Sequence, residues 1–564
     1  MSDIKAHKDW PNHQGVSPPL PLTSSQLTAQ FNTTYEERSP IELRVSGRIP
    51  SWAAGVLYRT GIGPREIKTD KNGVFKPNHW FDAMAVVHRF QILPPDEQNK
   101  ATRVVYNSRS TCDKLIEHIQ RTGKRDSMTF GRKYDPCETF FKKAKSVFLT
   151  DPVPGEDTAE AQSMAVTLSV NYPGLDANGQ RMESGHGKGI RTLCNKSDMS
   201  PLQMLDPETL EPLGLATQKT LHPDLTGPFS CAHARTCPVT GDVFNYNREK
   251  GISGLYRVFR VSAATGETSI LAAFKADLAY IHSFFLTENY VILVVWNSFY
   301  AAGGLGMLWS RNVVDALTDY DDSRPARWYV VDRHGKGLVA TYESDPFYCF
   351  HTVNAYEQKS PSGGTDIVAD LIAYNNIDCL KSFFIDNLVS TPNNAPKMAA
   401  NPSFNIKIRR FNIPSVPDKP TSKPRKVEPL FASTAMRTPE LPVINPHYTT
   451  RKHRFVYGVR FGGESSFIDG LAKFDVETQN ATFWMDRGQS PGEPIFVPRP
   501  GGTAEDDGVL LTVVLDGLKG KSYLLVLDAK SMSEVARADV HGAIGFGFHG
   551  THVSGVDKMP TVHT

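Results

Sequence analysis

One unit recurs along the whole chain: an apolar strand, an Asp or Ser with a turn, and a second strand. It appears at Leu202–Leu213 (LQMLDPETLEPL), Tyr256–Ile270 (YRVFRVSAATGETSI), Trp328–Thr341 (WYVVDRHGKGLVAT), Leu471–Trp484 (LAKFDVETQNATFW) and Tyr523–Val535 (YLLVLDAKSMSEV). Asp and Gly tolerate the backbone conformations of a tight turn, so each stretch reads as a hairpin from its own turn chemistry. No βαβ alternation separates the hairpins. A chain of two-strand units without crossover helices can bury its sheets as a propeller, as a large barrel or as two stacked β-sandwiches, and recurrence along the whole chain favours the propeller. Such a fold accommodates 564 residues as one unit, where length alone, at ~150 residues per domain, suggests three or four domains.

Some stretches break the pattern. Residues 1–40 are polar, carry Pro11, Pro18, Pro19, Pro21 and Pro40, and read as an extended, flexible arm. From residue 41 to 564 the chain reads as a single domain with insertions at about 110–150 and 296–320. Within the first insertion, Phe140, Phe141, Val147 and Phe148 stand among Lys142, Lys143 and Lys145, a basic amphipathic pattern. Residues 391–428 hold seven prolines and read as a surface loop interrupted by a strand at Phe404–Phe411.

Charge and motifs narrow the function. Lys+Arg number 62 against 60 Asp+Glu, and a near-neutral balance argues against nucleic acid as partner, because phosphate binding needs a basic surplus. The N-terminal ten residues are charged and lack an apolar signal core, and the longest strongly apolar run, Tyr290–Trp296, falls far short of the ~18 residues of a spanning helix. Seven cysteines without a CxxC are expected to be reduced thiols in a cytoplasmic setting, with Cys231 and Cys237 read as strand residues. No phosphate-binding loop and no Gly-x-Ser-x-Gly elbow occur, and Gly303-Gly304-Leu305-Gly306 lacks the frame of a dinucleotide site.

Histidine carries more information. His233, His282, His351 and His549 each sit among apolar residues in strand-like contexts spread over more than 300 residues. Singly, each reads as a packed, hydrogen-bonded side chain. Together they change meaning, because a propeller brings the inner strands of distant blades to one axis. Four neutral imidazoles suit a borderline divalent transition ion, and four ligands of an octahedral iron leave two positions open. His79 and His88 are explained by packing and hydrogen bonding, and His552, three residues beyond His549, reads as a polar residue on the exit strand.

The chain resembles the carotenoid cleavage oxygenase family over about residues 42–556. The segments that carry the resemblance are Leu57-Tyr-Arg-Thr-Gly61-Ile-Gly-Pro64, His79-Trp-Phe-Asp82-Ala-Met-Ala-Val-Val-His88, Ala232-His233 with Thr240–Tyr246, Ile281-His282-Ser-Phe-Phe-Leu-Thr-Glu-Asn-Tyr290, and Phe350-His351-Thr-Val-Asn354-Ala-Tyr356. Towards the C-terminus they are Glu440–Asn445, Gly492–Pro498, Glu505–Gly508 and Phe548-His549-Gly550. The resemblance implies a seven-bladed β-propeller with a helical and loop cap over an axial Fe2+, one per chain, held by His233, His282, His351 and His549. It further implies that carboxylates hold three of these rings. Glu440 and Glu493 match two of those positions. The third is a Glu in the family; here Asp198 is the only nearby acid on the upstream side of the Asp206–Glu211 turn, a departure from the pattern.

The resemblance implies a non-haem Fe(II) dioxygenase that uses O2 to cleave a C=C bond of a carotenoid or apocarotenoid to aldehydes. The run Phe130–Cys137 with Phe140 and Phe141 is similar to fungal enzymes of the torulene-cleaving type. One family branch cleaves stilbenes instead and reads the phenol with a Tyr and a Lys; Lys196 offers that Lys, whereas Phe140 or Phe141 stands where the Tyr is expected, with Tyr134 upstream. A metal-free interaction scaffold is the non-enzyme alternative. A water-insoluble polyene must be collected from lipid, so a peripheral membrane contact is expected at Phe140–Phe148 or at Ser298–Trp309; core or tunnel lining is the other reading of these aromatics.

Overall fold

The computed structural model describes residues 31–555 apart from 126, 133–157, 250–253, 362, 390–400, 403–404, 418, 422, 435–436, 462–464 and 466. Residues 1–30 of the arm, Tyr134, the Phe140–Phe148 stretch and part of the Pro-rich loop therefore lie outside the described residues. All five expected hairpins are present. Four turn on an aspartate whose Oδ1 accepts backbone N–H groups a few residues on: Asp206 from Glu208 and Thr209, Asp332 from His334 and Lys336, Asp475 from Glu477 and Thr478, Asp528 from Ser531. The fifth turns on Ser262, whose Oγ accepts from Thr265. A side-chain oxygen so placed substitutes for a backbone turn bond, which makes the signal local.

The strands build an all-β, propeller-like arrangement. Five antiparallel sheets follow one another in chain order, made by the strands within 167–217, 235–276, 285–344, 348–432 and 440–484. The third gains Arg425–Lys426 as a parallel edge strand. Of the remaining strands, Ile67–Lys68 and Val74–Phe75 pair as a small hairpin and the others form one ten-stranded sheet. In it Glu534–Asp539 pairs with Ile41–Gly47, and Gly550–Ser554 pairs with Gly55–Ile62, so late strands complete a sheet that early strands began.

Short helices lie in the two insertions. Asp113–Thr122 ends at Gly123, whose φ of 73° is the left-handed cap conformation; Leu305–Ser310 and Val313–Ala316 lie in the other. Among the described residues no helix is long and apolar enough to cross a membrane. Three expectations need correction. The strand expected at Phe404–Phe411 is Lys407–Val416, because it pairs along the length of Thr365–Tyr374 and the ladder shifts register at its far end, where Pro414 passes. Cys231 and Cys237 flank the short strand Arg235–Thr236 and lie in no strand. Phe299 and Tyr300, at the start of the Ser298–Trp309 candidate for lipid contact, are 4% and 6% exposed and pack inward.

Between sheets the core is aromatic. Trp328 is fully buried, stacks on Phe285 of its own sheet at 6.0 Å and meets Phe411 of the next sheet edge-on at 5.2 Å. Such contacts add to area burial through ring geometry. Towards the axis the backbone itself is close-packed. An ideal Cβ at Gly547 would stand 1.6 Å from the Thr60 carbonyl oxygen. Thr60 also receives His549 N–H on its Oγ1 and donates its N–H to the His549 carbonyl. Gly547→Ala is expected to cost about 1–3 kcal/mol of stability, the scale of an overpacked site, seen as a lowered denaturation midpoint; an unchanged midpoint would show that this approach relaxes freely.

Candidate metal centre

Each of the four histidines is positioned by an inner strand of a sheet. His351 lies within Tyr348–Lys359. The other three correct the expectation of strand residues: His233, His282 and His549 sit one to three residues ahead of Arg235–Thr236, Phe285–Leu286 and Gly550–Ser554. Before the ladder begins, the backbone is free to turn a side chain towards the axis. The four rings meet there. His233 lies 4.3, 4.7 and 5.0 Å between centroids from His549, His282 and His351. One donor atom from each falls within 4.8 Å of the others, and all four residues are buried.

Three of the rings are held from behind by carboxylates. His282 Nδ1–H donates to Asp198 Oδ2 at 2.7 Å, His351 Nδ1–H to Glu440 Oε2 at 2.7 Å, and His549 Nδ1–H to Glu493 Oε1 at 2.8 Å. The shorter Asp198 side chain thus reaches its ring. Its loop is drawn in by Ala232 N–H on Oδ1, and Tyr280 O–H donates to Oδ2 at 2.8 Å. Tyr374 O–H donates likewise to Glu440 Oε1 at 2.6 Å. The Leu441 N–H bonds the same carboxylate, with Leu441 at φ 50°, a strained conformation of the kind found at sites that need it. Glu493 receives Gly550 N–H at 2.9 Å and the buried Arg59 guanidinium at 3.3 Å.

This donor set fits a divalent metal ion. Protons pinned on Nδ1 leave Nε2 as a lone-pair donor. His351 Nε2 is buried without a hydrogen-bond partner, and His233 Nε2 faces His282 Nε2 at 3.1 Å. At metal–nitrogen bonds of about 2.1 Å, neighbouring ligands stand ~3 Å apart. Burial, with the neighbouring imidazoles, holds His233 and His549 well below the usual histidine range, so both rings are neutral. Burial works to raise Glu440, but the facing His351 ring, Tyr374 and the Leu441 amide outweigh it and leave the carboxyl below its ordinary value. Burial pushes Glu493 up to about 7 against the pull of Arg59.

A cavity of about 310 Å³ opens on His282, His351 and His549. Its wall is mainly aromatic and aliphatic, with Trp80, Phe81, Phe350 and Phe548 closest in sequence or contact to the ligand segments; Trp80 packs on Phe548 at 4.4 Å. Lys196 does not line it: the side chain is buried beside the Tyr172 ring at 5.9 Å, and burial lowers its ammonium to about 8. Phe140 and Phe141 lie outside the described residues. His79, His88 and His552 are buried apart from the cluster, His79 bonded to the Leu380 carbonyl and His88 to Tyr106. Sequence reasoning missed Tyr280, Tyr374 and Arg59. Tyr280 stands two residues before His282, a spacing that puts both on one face of extended backbone; Arg59 lies inside a quoted motif; Tyr374 carried no signal.

A propeller-like fold with a four-histidine centre on its axis defines the class. The chain belongs to the retinal pigment epithelial membrane protein family, whose profile matches residues 30–554. It is 42% identical to a carotenoid dioxygenase of Neurospora crassa over 97% of this chain and 92% of that one. It is 39% identical to a torulene dioxygenase of Gibberella fujikuroi over 97% and 94%. Among solved structures, a variant of the Synechocystis apocarotenoid oxygenase superposes with a TM-score of 0.71 at 21% identity, covering 95% of this chain and 100% of that one. The cobalt-substituted form of the Synechocystis enzyme gives 0.68 at 22% identity, over 94% and 99%.

The hydrogen bonds behind the rings give a direct test. Asp198→Asn, Glu440→Gln and Glu493→Gln are each expected to retain the fold and lower metal affinity by ~10–100-fold, read by titrating the stripped protein with Co(II). Asp198→Asn with unchanged affinity would remove Asp198 from the set.

Proposed function

We propose that this chain is a non-haem Fe(II) dioxygenase that cleaves one C=C bond of a carotenoid-class polyene: R–CH=CH–R′ + O2 → R–CHO + R′–CHO. The observation that carries the reading is the convergence of His233, His282, His351 and His549 at the inner end of an aromatic cavity. The names of the relatives, carotenoid dioxygenase and torulene dioxygenase, point to the same reaction and to a hydrophobic polyene as substrate. Counting the ten-stranded sheet as two blades, joined where Ile41–Gly47 meets Glu534–Asp539, supports a reading of seven blades in one domain from residue 41. In this reading the insertions, with the helices Asp113–Thr122 and Val313–Ala316 as their described parts, serve as the cap.

The mechanism assigns work to named side chains. His233, His282, His351 and His549 would hold a ferrous ion, which would supply the one-electron chemistry that lets triplet dioxygen react with a closed-shell alkene. Asp198, Glu440 and Glu493 keep the Nδ1 protons in place and offset the ionic charge, which bare imidazoles cannot. Phe350 and Phe548, each next to a ligand histidine, and Trp80 and Phe81 beside them give the polyene a dry, flat-sided slot and exclude water from the reacting carbons. No step needs a general base. A phenol-reading stilbene cleaver has less support, because Lys196 is turned towards Tyr172 and away from this cavity. Because a polyene partitions into lipid, a peripheral encounter with a membrane surface belongs to this reading, with Phe140 and Phe141 as its candidate contacts.

Purified protein is expected to bind about one iron per chain at four ligands, and His282→Ala or His549→Ala should lose iron and activity together; full iron retention in either would sink the ligand assignment. Paired product assays on a carotenoid and a stilbene should give aldehydes from the polyene only. Phe140→Ser/Phe141→Ser should reduce co-sedimentation with anionic liposomes, and rapid stilbene cleavage without polyene turnover or lipid binding would overturn the substrate class.

A further inference from the structure

The wall of the cavity is not apolar throughout. One corner is built from Asp82, Arg125, Ser127 and Ser163. Arg125 is only 8% exposed, yet its guanidinium has no carboxylate partner among the described residues. Its Nε donates to Ser127 Oγ at 3.2 Å and its Nη1 to the Asp82 carbonyl at 2.8 Å, which leaves Nη2 without a hydrogen bond. The neighbouring acid does not answer it: the two Asp82 carboxylate oxygens are spent on the Phe130 and Gly131 N–H groups, at 2.6 and 2.8 Å. Ser163 Oγ donates to the Ala83 carbonyl. A guanidinium is always charged and has only donors, so the valence left open calls for an acceptor oxygen. Arg125 lines the cavity, so a ligand lying there can bring an acceptor oxygen to the unbonded donor.

We propose that Arg125 is a specificity-determining residue whose Nη2 receives a terminal carbonyl or carboxylate oxygen of a polyene lying in the cavity. The site thereby prefers an oxygen-terminated chain, of apocarotenoid type, over the hydrocarbon of equal length. This inference rests on the reading of the cavity as a polyene site. A hydrocarbon end placed at the same corner leaves the guanidinium unpaired, and sites built around such a bond reject analogues that lack it.

The test compares wild type, Arg125→Gln and Arg125→Lys. Gln removes the charge and keeps a polar amide; Lys keeps the charge. Each iron-loaded protein is assayed on a polyene aldehyde and on the hydrocarbon of the same conjugated length in detergent micelles. Arg125→Gln should lower kcat/KM for the aldehyde by about 10–100-fold more than for the hydrocarbon, the scale of one hydrogen bond to a charged group, mainly through KM, with Lys restoring most of the difference. Equal losses on both substrates, or none on the aldehyde, would overturn the proposal. A binding arm uses metal-free protein and follows quenching of tryptophan fluorescence by a polyene carboxylate and by the hydrocarbon. If wild type cleaves neither polyene, the proposed reaction fails; carboxylate binding that weakens only in Arg125→Gln would still uphold the Arg125 site, and equal binding by wild type and Arg125→Gln would end it.

Discussion

Three hydrogen bonds of 2.7–2.8 Å between imidazole N–H groups and buried carboxylates organise the centre of this molecule. Two of them cross between sheets: Asp198, from the first sheet's segment, holds a ring of the third, and Glu440 of the fifth holds a ring of the fourth. Arg235 adds a tie of another kind. From the second sheet it donates to the Phe284 carbonyl and to Thr352, so three sheets share one guanidinium. Removing one partner of such a bond leaves a buried polar group unmatched, a far larger loss than the bond itself. The ring of sheets is therefore registered at its axis by polar chemistry, while apolar packing such as Trp328 against Phe411 fills the space between sheets.

Two tyrosines join this frame to the cavity. Tyr280 and Tyr374 turn their hydroxyls to Asp198 and Glu440 and also line the cavity. A molecule in the cavity that displaced either ring would disturb the carboxylate that aims His282 or His351. Pocket shape and imidazole orientation are thus coupled. A substitution meant to widen the pocket at Tyr280 also removes a donor from Asp198, and the two effects separate only when Tyr280→Phe is set beside a smaller residue.

Much of this architecture could be read from residues, and the reasons differ by feature. The hairpins were legible because Asp206, Asp332, Asp475 and Asp528 each close a turn within four residues of themselves. The meeting of the histidines rested on symmetry, since any propeller brings inner strand ends together; His233, His282 and His549 nevertheless fall just outside the strands, where the ladder leaves the backbone free to turn. Asp198 was found by position relative to the Asp206–Glu211 turn, and its short arm works because Ala232 and Tyr280 bring it within reach. Tyr374 had no signal, because its partner Glu440 is 66 residues away and only the fold brings them together. Lys196 shows the converse: strand alternation, not proximity in sequence to Asp198, decides which way a side chain points, and it points at Tyr172.

The last ring to arrive has a temporal meaning. His549 stands just ahead of Gly550–Ser554, whose strand partner among the described residues, Gly55–Ile62, lies almost five hundred residues earlier. On a ribosome the first three imidazoles emerge long before the fourth, and pairing across so long a loop is slow. The cluster is completed only when the two ends of the fold meet, so a chain truncated before Phe548 lacks one of the four imidazoles however many of its other sheets form.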